Sequence, residues 1–387
     1  MFNNEAIELL EEQFVNRIEK VSSELLNKIG KRITDIGSLT ASDLNKLKSL
    51  SNITGDIDWF NKELAKITNK NIKEIELLYK KSAEEIYKRA KPNYEYNNAN
   101  YVKFKDNKEL IKYYKSMAKL TAEKFINISN TTGFSFNKNG KVVYSTIAKK
   151  YQELVDTAIT QMSLGLSTRD EQVKKILKEM ANSGIKTIDY ANGYSKRLDS
   201  AIRQNVGDGL GELMQGIQNE TGKQFGANGV EITAHSLCSE DHQAYQGKQY
   251  TNKEYEKLQN SLHRQIGSWN CRHRTYSIIV GINTPAYTKQ ELTDRINESN
   301  KEFEFEGETF TMYQGTQLQR KIETEIRKQK DAQILYKASN NIDLLNETET
   351  KINQLTIKYN KLSKISGLPT KKNRLKVAGY HKNTKIA

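Results

Sequence analysis

This 387-residue chain has very little proline, very little cysteine and no long apolar run. Proline removes a backbone donor and clashes with the preceding helical turn, so only 3 prolines leave room for long unbroken helices. The 2 cysteines, Cys238 and Cys271, cannot form a disulfide framework, which makes a reducing compartment the expectation. The longest apolar run, 276–282, is too short to cross a bilayer, and the first five residues lack the basic and apolar segments of a secretory signal. The expectation is a soluble protein made in the cytoplasm, with no membrane partner. A local absence says more. From Lys351 onward there is no Asp or Glu, yet ten Lys or Arg, so this stretch supplies most of the formal net charge of +14. Such a segment repels itself and is drawn to polyanions, and the bland alternative is a solubilising tail.

What is present is mostly helical periodicity. Ile7, Leu10, Phe14, Ile18, Val21, Leu25 and Ile29 recur at three- and four-residue steps, one face of a long helix, and the pattern resumes through Leu78. Residues 1–91 therefore read as an N-terminal helical region for protein contacts, and the polar stretch 92–108 as a linker. Residues 109–228 read as a helical middle. It includes a small hairpin turning at Asn139-Gly140, a helix opened by the capping box Thr168/Glu171 and closed at Gly184, and another helix from near Ser195 whose end is weakened or closely packed by Gly207, Gly209, Gly211 and Gly216. Short β-prone runs mark 229–312 as a small α+β region; helices return over 313–362, and 363–387 forms a basic tail. The expected fold is mainly α with a small α+β domain. Candidate DNA contacts are Lys361, Lys364, Lys371, Lys372, Arg374, Lys376, Lys382 and Lys385, which would neutralise phosphates without sequence preference.

The chemistry is concentrated between His235 and His273, which hold both cysteines and four of the five histidines. Cys238 and His242 share a face if helical, and Cys271 and His273 share one if extended, so the four could make a tetrahedral zinc set. Their spacing matches no standard finger. A hydrolytic reading takes Cys271 as nucleophile, His242 or His273 as base, and Asp241 or Glu240 nearby. The favoured reading is structural: Trp269 to His273 forms a fixed turn, with Asn270 in turn geometry, Trp269 and Cys271 packed inward and the histidines bonded to backbone. On that reading no cofactor is needed, and zinc is the one candidate.

His242, then Gln246-Gly247-Lys248, then Trp269-Asn270-Cys271-Arg272-His273 resemble the phage minor capsid protein 2 family, and more widely the Mu-type head morphogenesis proteins. Flanking stretches around Ser183 to Arg203, Thr284 to Thr288 and Tyr313 to Lys330 extend the resemblance over roughly 110–335. Cys238 and Ser239 depart from the small and basic residues usual there, which argues against a family-wide four-ligand zinc site. The resemblance implies a low-copy structural protein of a tailed phage head that binds rather than turns over. Its implied partners are the portal, other head proteins and non-specific double-stranded DNA, with a part in DNA packaging or ejection. Its implied location is the virion, after assembly in the host cytoplasm. The competing reading is a metal-dependent nuclease or toxin-like cargo enzyme centred on His242, Cys271 and His273.

Overall fold

A computed structural model describes residues 4–38, 52–138, 141–164, 166–188, 195–268 and 271–382. The expected turn at Asn139-Gly140, as well as Trp269, Asn270 and Lys385, lie outside the described residues. The chain is mainly α, with small antiparallel sheets.

Two long helices open it, α1 (Asn4–Ser38) and α2 (Thr54–Arg89). The stripe that predicted α1 is its buried face: Phe14, Ile18, Val21, Leu25 and Ile29 are all in the core. This face packs against α2, against α7 (Leu198–Phe225) and against α11 (Met312–Ala338), so all four helices share one hydrophobic cluster. The first helix is thus a wall of the central core.

The stretch 92–108, expected as a linker, is packed instead. It contains α3 (Lys91–Tyr96), and Tyr94, fully buried, donates its hydroxyl to Gln224 on α7 at 2.9 Å. Tyr101 stacks on Tyr87 at 4.7 Å. Asn-rich polarity suggested a loop, but tyrosines bury a ring while keeping a polar tip satisfied.

Helix α4 (Lys108–Asn130) follows, capped by the Asn107 side chain. Strands β1 (Thr132–Lys138) and β2 (Lys141–Ser145) form the expected hairpin, and α5 (Ile147–Ser163) follows. Helix α6 (Arg169–Ser183) has the complete Thr168/Glu171 capping box, with Gly184 at φ 63 beyond it. Its ψ of 171 lies outside the left-handed helical cap conformation, in a region open essentially to glycine. Strands β3 (Lys186–Ile188) and β4 (Ser195–Arg197) complete a sheet of order β2-β1-β3-β4. The helix expected near Ser195 therefore begins at Leu198. It runs unbroken past its glycines to Phe225, because they serve packing: a Cβ on Gly209 would meet the Tyr79 hydroxyl at 2.4 Å.

The second sheet, β6-β5-β7, is built from β5 (Gly229–Ile232), β6 (Gln249–Thr251) and β7 (Thr275–Ile278), with α8 (Glu240–Gln243) and α9 (Asn252–Ser261) between them. Helix α10 (Lys289–Asn300) leads to the hairpin β8 (Glu302–Phe305) and β9 (Glu308–Thr311). Met312, the last residue of the expected α+β region, starts α11, where Thr311 and Gln314 close a capping box. Helix α12 (Ile342–Ser366) folds back on α11, and Phe305, Ile322, Ile326, Tyr359 and Leu362 make a second small core.

The basic tail is where the structure differs most from expectation. After Gly367 the chain turns back as a strap, burying Leu368 and Val377. Gln319 donates to the Pro369 carbonyl at 3.0 Å, and Arg327 to the Arg374 carbonyl at 2.9 Å. The Ser23 hydroxyl on α1 donates to the Ala378 carbonyl. A charge run suggested a solvated tail. Its few apolar residues and its backbone carbonyls, met by donors on α11 and α1, hold it down.

Candidate functional site

Loops around the second sheet bring the His/Cys residues together. His235 and Cys238 follow β5, with Leu237 at φ 57 between them; His242 is on α8, and Cys271 and His273 lead into β7. Cys238, His242 and His273 are at most 1% exposed, and Cys271 6%. Both cysteines are free thiols.

The His273 ring is the centre. Its Nδ1 lies 3.3 Å from Cys271 Sγ, and its Nε2 lies 3.6 Å from Cys238 Sγ and 3.3 Å from Gln246 Oε1. The His235 ring stacks on it at 4.3 Å. Cys271 Sγ also lies 3.2 Å from His242 Nδ1, while His242 Nε2 lies 2.7 Å from the Arg264 carbonyl. A carbonyl can only accept, so His242 carries its proton on Nε2 and turns a lone pair towards Cys271 when neutral.

Electrostatics separates the two thiols. Burial pushes Cys238 up to about 12, and the neighbouring Cys271 adds to this. Burial would also raise Cys271, but hydrogen bonding to His242 and to backbone outweighs it and holds that thiol below its ordinary value. Burial lowers His242, and its bonds to Cys271 and the Arg264 carbonyl more than reverse this. His273 is pushed down to about 3 by burial and by the charges of His235 and His242. The result is one ionisable thiol beside one imidazole, next to a thiol and a ring held neutral.

The four residues of the candidate zinc set are brought together but do not converge on one point. His242, Cys271 and His273 offer ligand atoms within 4.8 Å of one another, as do His235, Cys238 and His273. The two thiols lie on opposite nitrogens of His273, and an ion takes only one nitrogen from an imidazole. The set is therefore two overlapping triads.

The hydrolytic frame is only half assembled. Cys271 and His242 are in contact, but Asp241 is held by Arg264 through bonds of 2.9 and 2.7 Å. Its carboxylate is 3.7 Å from His242 Nε2, whose proton already goes to the Arg264 carbonyl. Two histidines do bond backbone as expected, His242 to Arg264 and His235 to Ser236. His273 contacts side chains instead.

The resemblance motif is a structural frame around this cluster. Gln246 Oε1 accepts the His235 backbone N–H at 3.1 Å, Gly247 has φ 69, and Lys248 offers its carbonyl to Ile232 across the sheet. Arg272 reaches Glu8 on α1 at 3.2 Å. His235 and Arg264 are the participants that spacing did not single out. The only signal for His235 was its place in the histidine-rich window.

The candidate DNA contacts divide in two. Lys371 pairs with Glu8 at 2.9 Å, and Arg374 lies between Glu8 at 3.5 Å and Glu323 at 3.8 Å. Lys361, Lys364, Lys372, Lys376 and Lys382 are exposed.

Long packed helices carrying a small sheet with a buried polar cluster define a mainly α protein, and no helix among the described residues is long and apolar enough to cross a membrane. Residues 2–362 match the family model for phage minor capsid protein 2, and the chain belongs to that family. The match takes in the N-terminal helices, well beyond the 110–335 span that the motifs suggested. Searches of curated proteins and of solved structures found no match. The protein is a structural component of the phage head.

Proposed function

We propose that this head protein is portal-associated, works by binding rather than catalysis, and touches packaged double-stranded DNA through the lysines of α12 and the strap. The observation that carries the DNA contact is the set of exposed cations Lys361, Lys364, Lys372, Lys376 and Lys382 in a stretch with no Asp or Glu. Fixed on α12 and a folded strap, they would neutralise phosphates without ordering a loose tail. Five phosphate contacts give a slope of log affinity against log salt of about −4.5. The test is fluorescence anisotropy of a duplex at several salt concentrations, comparing the native chain with one carrying all five lysines as glutamine. A much shallower slope for the variant is expected. Equal slopes would reassign these charges to an acidic protein surface such as the portal.

A second reading concerns the cluster. His242, Cys271 and His273 fit zinc: a thiol poised to ionise, two buried imidazoles, and a carbonyl fixing the outer nitrogen of His242. Zinc there would tie α8 to β7. Elemental analysis of protein purified without chelator should find near one zinc per chain, reduced by Cys271→Ser. A zinc-free, fully folded chain would leave the cluster a hydrogen-bonded core.

A further inference from the structure

Beside the His/Cys cluster, and separate from the exposed lysines, lies a cavity of about 1130 Å³ walled by α7, β7, α11 and the strap. Small-molecule sites typically span about 300–1000 Å³, so it can admit a ligand larger than a lone ion. We propose that it binds an organic phosphate of nucleotide class.

The charge of the wall is the first argument. Arg203, Arg272, Arg274, Arg320 and Arg374 all line it. Ten Lys or Arg line the cavity against four carboxylates, Glu11, Glu85, Asp208 and Glu323, so the wall is cationic on balance. Glu8 alone is shared by Arg272, Arg374 and Lys371. Arg274 spends its Nη1 on the carbonyls of Cys271 and His273, at 2.8 and 2.7 Å, and meets no carboxylate within ion-pair distance among the described residues. Arg320, exposed to solvent, forms no hydrogen bond or ion pair through its guanidinium among the described residues; Arg272 and Arg374 repel its charge, and Glu323 and Glu8 attract it. Its donors are free to make a phosphate fork.

The second argument is that the helix is shaped for this. Gly211 on α7 lies against Arg274, where a Cβ would fall 1.9 Å from Nη2. Any larger residue would displace the guanidinium from the wall. The third argument is the change in character along β7 and its approach. Arg272 and Arg274 come before Tyr276 and Ile278 along the chain, with Thr275 and Ser277 also in the lining, so the wall passes from cationic to aromatic and apolar over roughly 20 Å. Met214 and Tyr287 extend the apolar part. That sequence of surfaces suits a charged head on a flat, less polar body. An inorganic anion alone would leave the aromatic part of the wall uncovered.

The proposal is independent of the lysine-face reading, because it uses none of those five lysines. The experiment is isothermal titration of the full chain with ADP, pyrophosphate and adenosine, repeated on Arg320→Ala and on Lys382→Gln. Arg320 has no internal partner to lose, so its variant should fold, and its unchanged thermal midpoint is the check. ADP should bind more tightly than pyrophosphate, and adenosine should not bind. Affinity for ADP should fall at least tenfold in Arg320→Ala and stay unchanged in Lys382→Gln. If Arg320→Ala misfolds, Arg320→Lys, which keeps the charge but loses the fork, should still bind ADP severalfold more weakly than the native chain. Absence of ADP binding at millimolar concentration would overturn the proposal, as would equal affinity in the folded Arg320 variants. A single-stranded oligonucleotide that binds through Arg320 when ADP does not would assign the cavity to a polymer and overturn it too.

Discussion

The arginines around Asp199 and the lysines of the C-terminal region carry the same charge and do opposite work. Arg327 and Asp199, each with a side chain 5% exposed, pair at 2.9 Å, and Arg197 reaches both Asp199 and Asp331. Arg203 bonds Glu12, tying α7 to α1. Lys361, Lys364, Lys372, Lys376 and Lys382 stay outside. The guanidinium is more weakly hydrated than an ammonium and can serve several acceptors in fixed directions, so it survives desolvation where lysine remains in water. Net charge hides this division. It counts Arg374, locked between two glutamates, the same as Lys382 at the surface.

The largest effect is expected from unpairing the interior. Asp199→Ala leaves Arg197 and Arg327 without their shared carboxylate, whose side chain is only 5% exposed. Removing one partner of a buried ion pair costs about 3–5 kcal/mol. Urea denaturation of the variant should show a loss of that size. A loss below about 1 kcal/mol would mean that these arginines are solvated as the lysines are.

That interior network is also where the sequence was least readable. The stripe of α1 was legible because apolar residues at helical spacing have few alternatives, and the Thr168/Glu171 box because a cap is a local signal. The His/Cys cluster was legible as a neighbourhood, since its residues fall within one short window, although its division into two triads depends on which nitrogen of His273 each thiol meets. Arg197, Asp199 and Arg327 gave no such sign. Arg327 and Asp331 come from a helix far along the chain from Arg197 and Asp199, and a lone charged residue reads as surface. The strap was misread for the same reason: Leu368 and Val377 are too sparse to form a pattern, and the donors that hold its carbonyls come from Ser23, Gln319 and Arg327.

A second test uses acidity. Glu19 on α1, beneath the strap, is pushed up to about 8 by burial and by the charges of Asp199 and Asp331; Glu11 is raised to about 7, chiefly by burial. Both carboxyls hold protons more tightly folded than unfolded. Their contribution is full below about 4.5 and is lost as pH rises through about 7 to 8. Asp199, whose arginine neighbours overcome its burial and hold it well below its ordinary value, does not titrate in that window. Between pH 6 and 8.5 the chain should lose on the order of 2 kcal/mol through Glu19. Glu19→Gln keeps an acceptor for the Ala378 N–H, which lies 3.4 Å from Glu19 Oε2, and should flatten much of this dependence. Thermal midpoints across that range measure it. An equally steep profile in the variant would place the titrating group elsewhere.

The smallest expected effect tests the other side of the comparison. Replacing Lys361, Lys364, Lys372, Lys376 and Lys382 by glutamine removes five exposed charges, of which Lys361 alone among the described contacts lies over a buried ring, Phe305, at 6.0 Å. Surface substitutions of this kind usually change stability by less than about 0.5 kcal/mol each, and relief of mutual repulsion opposes any lost contact. The five-fold variant should therefore unfold within about 1 kcal/mol of the native chain by the same urea measurement. Lys371→Gln is the control, because it sits among these lysines in sequence but pairs with Glu8, and should cost more than any one of the five. If the five-fold variant proves markedly unstable, the lysines help hold the strap down. Any change it caused in DNA affinity would then reflect a displaced strap and could not be read as lost phosphate contacts.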